Sequence, residues 1–493
     1  MMMKSLNEYF LSCVNSYPDE LFLYDEEHRL TYQEALKETI RLGNRLTSFG
    51  VKAGDPVCFR AVRSLEGVSF FFALLGIGAL ASLADPHQKA KEFVMDAQVD
   101  LAPSFYLTNE SGRWVISDAF GREEEIDPWD PKAGEKPLFA GPKDPEDPII
   151  LCFTSGSTNR SKGVLMSSRA LLAHIELFHD HAGYSLCKKA ISMLPMYHVF
   201  GFAQFLALAY YGGSMYFPAS LEAEFLAKKI NEHSIDRFDA VPAFHGYFAK
   251  ERLAKGFTTP TLKIGITSGA YLPPERFLEL EKISGVRLIP VYGQSECLTI
   301  SGFQDQADSS KHPYSIGKFL KGSQGKIVKE DGSEAAVGEK GEIIVKSPQQ
   351  MNGYLNREES PIDEDGYLHS GDLGYLDEEG YLYFVGRIKD MVIKNGINIS
   401  CPFLERVIGG LPYVEDVAVT AIESATRGER ILCACVLNEE GVGEERLRED
   451  LKGLLHKNEV PDRFLFLDAL PRKHNLKIDK AEIRALYQRT KKR

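Results

Sequence analysis

Long hydrophobic runs, paired cysteines and an excess of positive charge are all missing from this sequence. The uncharged run at residues 68–84 falls short of the ~20 apolar residues of a membrane span and contains Gly76 and Gly78. It reads as a buried helix running into a strand, and no membrane span is expected. The first ten residues carry Lys4, Asn7 and Glu8 where a secretory signal needs an apolar core. The eight cysteines, at 13, 58, 152, 187, 297, 401, 433 and 435, form no Cys-x-x-Cys pair. That argues against a zinc site or a disulfide framework and for a reducing, cytoplasmic setting. A formal net charge of −12 with a pI near 5.6 argues against general nucleic-acid binding, which needs clustered Lys and Arg. Only the tail Lys491-Lys492-Arg493 is basic, as a solvated terminus commonly is.

What is present is a chain of 493 residues, 44% hydrophobic and 26% charged, with ample material for a core and for two to four structural units. Short β-rich runs at 149–153, 190–194, 239–241, 262–267 and 287–291 alternate in part with helix-compatible stretches at 168–178 and 274–283. This alternation predicts α/β layers, in which ligands sit at the carboxyl ends of the strands. From about Gly325 the texture turns to hairpins with Asp331-Gly332, Asp365-Gly366 and Glu379-Gly380 as turns, predicting a β subdomain. After Gly386-Arg387 mixed helix and strand return and end in an amphipathic helix at 480–489. The expected architecture is a large N-terminal domain, 1–388, of layered α/β subdomains plus a β subdomain, followed by a small α+β C-terminal domain, 389–493.

After the run at 149–153 comes Thr154-Ser-Gly-Ser-Thr-Asn-Arg-Ser-Lys-Gly163, with five hydroxyls, two glycines and Lys162 within ten residues. Triphosphate oxygens seek hydroxyl donors, a close backbone and one cation, so Thr154, Ser155, Gly156, Ser157, Thr158 and Lys162 are candidate phosphate ligands. A polar surface loop is the alternative. The P-loop pattern fails, because Ser161 precedes Lys162 and Gly163 follows it, and no Gly-x-Gly-x-x-Gly turn with a following acidic residue appears.

At this loop the sequence resembles the adenylate-forming (AMP-binding) superfamily, which comprises acyl- and aryl-CoA synthetases, peptide-synthetase adenylation domains and beetle luciferases. The resemblance continues in order through Leu30-Thr-Tyr-Gln-Glu-Ala-Leu36, Gly50-Val-Lys-Ala-Gly-Asp55, Leu194-Pro-Met-Tyr-His-Val-Phe-Gly201, Thr267-Ser-Gly-Ala270, Tyr292-Gly-Gln-Ser-Glu296, Ser370-Gly-Asp372, Gly386-Arg-Ile-Lys-Asp390, Lys394-Asn-Gly396 and Pro471-Arg-Lys-His-Asn-Leu-Lys477. It implies ATP-dependent activation of a carboxylic acid to an acyl-adenylate, then transfer to a thiol, with ATP, Mg2+ and coenzyme A as the small-molecule set.

By the same resemblance, Tyr292 faces adenine, with Ser268, Gly269 and Ala270 on the other side and Gly293 and Gln294 in the same motif. Ser295 holds the α-phosphate, Glu296 ligates magnesium, Asp372 accepts from the ribose hydroxyls and Arg387 donates to ribose or phosphate. Lys477 is the adenylation cation. Lys389 is the hinge about which the small mobile domain rotates to bring Gly396 toward the thiol tunnel. His198 gates the carboxylate site. Phe200, Phe202, Phe244, His245, Tyr271 and Leu298 supply an apolar acyl pocket, although core packing accounts for several of them equally well.

Departures from the family pattern are Asn159 for a loop glycine, Ser161 for proline, Phe403 for the first of two acids after Cys401-Pro402, and Leu476 for the glycine before Lys477. No Asp for a substrate amine occurs in residues 194–201, which favours a non-amino acid, fatty or aryl. Coenzyme A is the expected acceptor. Alternatives are loading onto the phosphopantetheine of an acyl carrier protein, a luciferase-like oxygenase, and a binding protein that has lost catalysis.

Overall fold

The computed structural model describes residues 5–85, 103–110, 112–130, 144–154, 162–178, 185–270, 274–303, 311–312, 315–394, 397–424, 428–439, 441–472 and 478–491. The expectations for Ser155, Gly156, Ser157, Thr158, Asn159, Ser161, Tyr271, Gly396, Leu476 and Lys477 lie outside the described residues. The fold is α/β, and its packing separates two compact units: Met1–Gly269 with Pro274–Gln324 and Val345–Leu368, and Ala270–Pro273 with Gly325–Ile344 and His369–Arg493.

In the first unit an eight-stranded sheet runs in the order Gly353–Tyr354, Gly163–Ser167, Pro148–Phe153, Leu80–Ala84, Pro56–Arg60, Phe105–Glu110, Arg113–Asp118 and Glu123–Ile126. Its centre is parallel and its flanks are antiparallel. The apolar run at 68–84 becomes the helix Leu65–Ile77 and the strand Leu80–Ala84. Ser64 caps the helix by accepting from Gly67, and Gly78, at φ 80°, ends it in a left-handed turn. The helix is apolar on all sides because protein surrounds it on all sides: Phe70, Phe71, Phe72 and Leu74 are buried. The helix expected at 168–178 forms as Ser168–Phe178.

One expected strand does not form. At 239–241 only Ala240 makes a parallel bridge, to Thr267, and Pro242 opens the helix Pro242–Lys255. The reason lies in Asp239, which is fully buried. Its Oδ1 accepts from the Ile266 N–H at 2.7 Å, and its Oδ2 accepts from Arg237 Nε at 2.8 Å and Gln204 Nε2 at 2.9 Å. A side chain thus takes a donor that a ladder carbonyl would otherwise take.

The second unit holds a four-stranded sheet of Gln324–Val328, Gly341–Lys346, Leu368–Leu376 and Leu382–Arg387. It also holds a sheet in the order Ile397–Ser400, Met391–Lys394, Gly428–Leu437 and Val414–Ser424, with Arg463–Phe466 parallel to Gly428–Leu437. Alternation along Gly428–Leu437 feeds two cores. Ile431, Cys433 and Cys435 pack with Leu404, Ile408 and Leu447, while Leu432, Ala434 and Val436 pack with Ile483 and Tyr487. All eight cysteines are buried and none is joined in a disulfide. Burial pushes those of Cys58 and Cys297 up to about 12. Among the described residues no helix is long and apolar enough to cross a membrane.

Candidate active site

The strands Pro148–Phe153 and Gly163–Ser167 pair antiparallel up to Phe153 opposite Gly163, so the loop between them is a hairpin loop. Its base is closed twice. The Thr154 N–H donates to the Lys162 carbonyl at 3.0 Å, and the Lys162 N–H donates to Thr154 Oγ1 at 3.1 Å. Lys162 therefore leaves the loop with its main chain committed and its ammonium available for a tertiary contact.

A second hairpin carries Ser295 and Glu296. Arg287–Gln294 pairs with Leu298–Gly302 from Gln294 opposite Leu298, with a bulge between Tyr292 and Gly293, and the turn closes as the Cys297 N–H donates to the Gln294 carbonyl at 3.2 Å. Leu298 sits at φ 44°, a left-handed conformation that costs a non-glycine residue roughly 1–2 kcal/mol. Gly293 lets the turn be this tight, because a Cβ there would lie 1.8 Å from the Leu298 carbonyl oxygen. Local strain thus coincides with the turn that presents Glu296.

Tyr354 joins the two hairpins. It lies on the edge strand Gly353–Tyr354, paired opposite Val164, and the Leu355 N–H donates to the Gly163 carbonyl at 2.8 Å. Its hydroxyl donates to Glu296 Oε1 at 2.8 Å, and Lys162 Nζ stands 4.6 Å from its ring centroid. Burial, and then the charge of Glu296, raise the hydroxyl above the usual tyrosine range. The structure thus brings the expected phosphate cation and the expected metal ligand together around one tyrosine that sequence reasoning missed. Glu296 offers carboxylate oxygen, and the neighbouring Cys297 thiol is protonated and buried with Ile300, Val345 and Leu368. That donor set fits a hard cation such as magnesium.

Tyr292 is half-buried and packs against the same Cys297 cluster. Ser268, half-buried, and the exposed Gly269 and Ala270 follow the strand Ile264–Thr267, with Gly269 at φ 86°. In the second unit Asp372 and Arg387 stand opposite each other on paired strands, with Arg387 Nε 3.1 Å from Asp372 Oδ1. Asp372 is 1% exposed. The Gly371 N–H donates to Glu342 Oε1 at 2.9 Å and the Asp372 N–H to Ser370 Oγ at 3.0 Å, fixing the turn that aims this carboxylate.

Of the residues expected on the acyl side, His198 opens the helix Val199–Tyr210 and is half-buried, as is Phe200. Tyr197 leans on the His198 ring at 4.6 Å and is itself hydrogen-bonded to Asp85. Phe202, Phe244, His245 and Leu298 are buried. His245 sits against Phe238, with Nε2 3.4 Å from the Ile266 carbonyl. A second buried histidine, His174, donates from Nδ1 to Gln349 Oε1 at 2.8 Å, and Gln349 Nε2 donates to the Thr299 carbonyl at 2.9 Å.

Burial pulls both imidazoles down to about 4. In the unfolded chain each takes up a proton near pH 6.5, whereas in the folded chain each stays neutral until about pH 4. Folding stability is therefore fully present above pH 6.5 and falls as pH drops toward 4, by roughly 3 kcal/mol per histidine. Urea unfolding at pH 7 and pH 5 should show this loss. A His174→Gln, His245→Gln double variant should show a shallower slope.

In the C-terminal segment Lys389 is exposed in the 3-10 turn Ile388–Asp390. Lys394 is buried, with Nζ 3.0 Å from Asp462 Oδ2, which also accepts from the Ile431 N–H at 2.9 Å. Arg472 bridges Ile478 across the segment that contains Lys477 and pairs with Asp416 at 2.5 Å.

The profile of the AMP-binding enzyme family matches residues 10–355 of this chain, and that of the AMP-binding enzyme C-terminal domain matches residues 404–477. The chain belongs to the AMP-binding enzyme family. Within the adenylate-forming superfamily it falls in the acyl-/aryl-CoA synthetase branch, and it is an acid–thiol ligase of the AMP-forming type. An indoleacetate–CoA ligase of Aromatoleum aromaticum is 27% identical, with 94% of each chain covered. The crystal structure of ATP-bound MatB from Rhodopseudomonas palustris is 25% identical, with a TM-score of 0.87 and 99% of each chain covered. The o-succinylbenzoate coenzyme A synthetase (MenE) of Bacillus subtilis, in complex with ATP and magnesium ion, shares the fold at a TM-score of 0.82 and 24% identity, over 97% of this chain and 99% of that one.

Proposed function

We propose that this AMP-binding enzyme uses ATP to activate a non-amino carboxylic acid, fatty or aryl, and passes the acyl group to coenzyme A. The observation that carries the reading is the meeting of Lys162 and Glu296 on Tyr354. It gives a triphosphate one cation and one metal-binding carboxylate in the same place. The aromatic acid in the name of the indoleacetate–CoA ligase favours the aryl side, and CoA ligases among the relatives favour coenzyme A over a carrier protein.

In this reading Lys162 and the loop of Thr154, Ser155, Gly156, Ser157 and Thr158 hold the phosphates that leave as pyrophosphate. Glu296 holds magnesium, which when bound neutralises phosphate charge. Tyr292 and the backbone at Ser268, Gly269 and Ala270 flank the adenine, beside Gly293 and Gln294. Ser295 takes the α-phosphate, Asp372 the ribose hydroxyls, and Arg387 the ribose or phosphate oxygens. The substrate carboxylate attacks the α-phosphorus, an acyl–oxygen–phosphorus bond forms and the bond to pyrophosphate breaks, while the Lys477 ammonium offsets the growing charge. The thiol sulfur then attacks the acyl carbon and AMP leaves. His198 gates the carboxylate, and Phe200, Phe244, His245, Tyr271 and Leu298 shape the acyl side. The chemistry belongs to a reducing cytosol, in keeping with eight buried cysteines none of which is joined in a disulfide.

The functional boundary lies at Lys389, with residues 1–388 serving ATP and acid and residues 389–493 acting as the lid. Lys389→Pro, by fixing φ, is expected to leave adenylate formation near wild type and to slow thioester formation by about tenfold or more. The two half-reactions, measured separately, decide it, and equal loss of both would sink the hinge assignment. Carboxylate-dependent ATP–pyrophosphate exchange across an acid library, followed by thioester assays with CoA and with a holo-carrier protein, tests the function. Exchange with no acid, or thioester formed only on the carrier, overturns this reading.

A further inference from the structure

Opposite charges that share a pocket attract each other as well as their ligands. An ammonium and a carboxylate left face to face form an ion pair, and both are then diverted from an incoming polyphosphate and its metal. Lys162 and Glu296 meet the same tyrosine side chain. Among the described residues no ion pair joins them. Between them stands Tyr354, whose two ends satisfy the two groups differently: the hydroxyl donates to Glu296 Oε1 at 2.8 Å and the ring lies 4.6 Å from Lys162 Nζ.

We propose that Tyr354 is a positioning residue and spacer that keeps Lys162 and Glu296 from neutralising each other, orienting the carboxylate through its hydroxyl and seating the ammonium on its ring. The proposal rests on the assignment of Lys162 to phosphate and Glu296 to magnesium given above, and adds a residue and a division of labour to it. A cation on an aromatic face keeps its N–H donors pointing outward, so Lys162 retains its charge for phosphate. A phenol donates one hydrogen bond and no net charge, so Glu296 is held in one orientation with its anion intact.

The rest of the fold places the tyrosine for this task. Its main chain forms the short antiparallel edge strand of the eight-stranded sheet, beside Val164 and Leu165 of the strand that begins directly after Lys162. The chain just before it is fastened to the other hairpin, where the Met351 N–H donates to the Glu296 carbonyl at 2.9 Å. Two backbone attachments thus hold Tyr354 at a set distance from both partners.

The two ends of the side chain can be removed separately. Tyr354→Phe deletes the hydroxyl and keeps the ring, and Tyr354→Leu deletes both. Calorimetric titration of the full-length protein with ATP, first in EDTA and then with Mg2+, reads the two effects without turnover, and thermal unfolding confirms that each variant is folded. Tyr354→Phe is expected to bind metal-free ATP as the wild type does and to weaken the magnesium-dependent gain in affinity about tenfold, as loss of a metal-ligand's hydrogen-bond partner does. Tyr354→Leu is expected to lose that gain and also to weaken metal-free ATP binding, because Lys162 becomes free to pair with Glu296. Combined with Tyr354→Leu, a second substitution, Glu296→Gln, should restore metal-free ATP binding by removing the competing anion. A Tyr354→Phe variant with an unchanged magnesium response overturns the proposal, as does loss of metal-free and magnesium-dependent binding in equal measure in both variants. A wild-type protein that binds no ATP under either condition overturns the functional reading itself and the proposal with it.

Discussion

Lys477→Ala is expected to lower carboxylate-dependent ATP–pyrophosphate exchange by ~10²-fold or more, yet to leave the conversion of a supplied acyl-adenylate to thioester near wild type. The first half-reaction drives a carboxylate anion against a polyphosphate anion, so its barrier is dominated by charge. An ammonium that meets the developing charge lowers that barrier more than it binds the ground state. In the second half-reaction a sulfur attacks an already activated acyl carbon and AMP departs, a step with no such collision of anions. The substitution leaves the neighbouring structure its anchors, because the bridge between Arg472 and Ile478 and the ion pair of Arg472 with Asp416 do not involve the Lys477 side chain. The check is exchange assayed beside CoA-dependent AMP release from a synthetic acyl-adenylate. Unchanged exchange removes Lys477 from the chemistry.

Gly293→Ala is expected to be comparably severe, for a steric reason. The added methyl would stand 1.8 Å from the Leu298 carbonyl oxygen, which is backbone and cannot rotate away. The hairpin must open, and its tip is Ser295 and Glu296. A displacement near 1 Å at a positioned group costs on the order of 10²-fold in rate, so exchange should fall by about that factor. Calorimetry should show the magnesium-dependent part of ATP binding falling with it. Gly332→Ala is a useful comparison, since Gly332 has φ 80° but nothing within 4 Å of its Cβ position. It should lower thermal stability a little through backbone strain and leave exchange intact. A Gly293→Ala enzyme with wild-type exchange would falsify the view that this turn sets the metal carboxylate.

Much of this was legible in the sequence wherever local chemistry and tertiary structure agree. The helix Ser168–Phe178 follows from its apolar spacing, and the buried helix–strand pair at 65–84 from a run too short for a bilayer and too apolar for a surface. Gly332, Gly366 and Gly380, all at positive φ, were marked as turns by the acidic residue before each. Residues 239–241 misled because Val, Ala and an apolar neighbourhood resemble a strand, while the deciding fact is what Asp239 does with its carboxylate 27 residues away at Ile266. Pro242 was the signal that could have corrected it, since proline at the first helical position announces a helix start. Lys162 and Glu296 stood out by residue type and motif. Tyr354 did not, for a two-residue strand has no periodicity and its partner lies 58 positions earlier in the chain. The pairing of Arg387 with Asp372 was invisible for a similar reason: their roles were read singly, and only strand register sets one opposite the other.

That cross-strand pair also bears on the protein at rest. A carboxylate as deeply enclosed as Asp372 would, standing alone, carry a desolvation penalty of several kcal/mol and tend to pull its surroundings apart or take up a proton. Arg387, nearly half exposed, supplies the opposing charge from the neighbouring strand and keeps one flank open to water. The acceptor proposed for the sugar hydroxyls is therefore paired and aimed before any nucleotide arrives. Under the assignment proposed above, an incoming ribose has only to share an oxygen with that guanidinium, so in this respect the fold is set to bind beforehand.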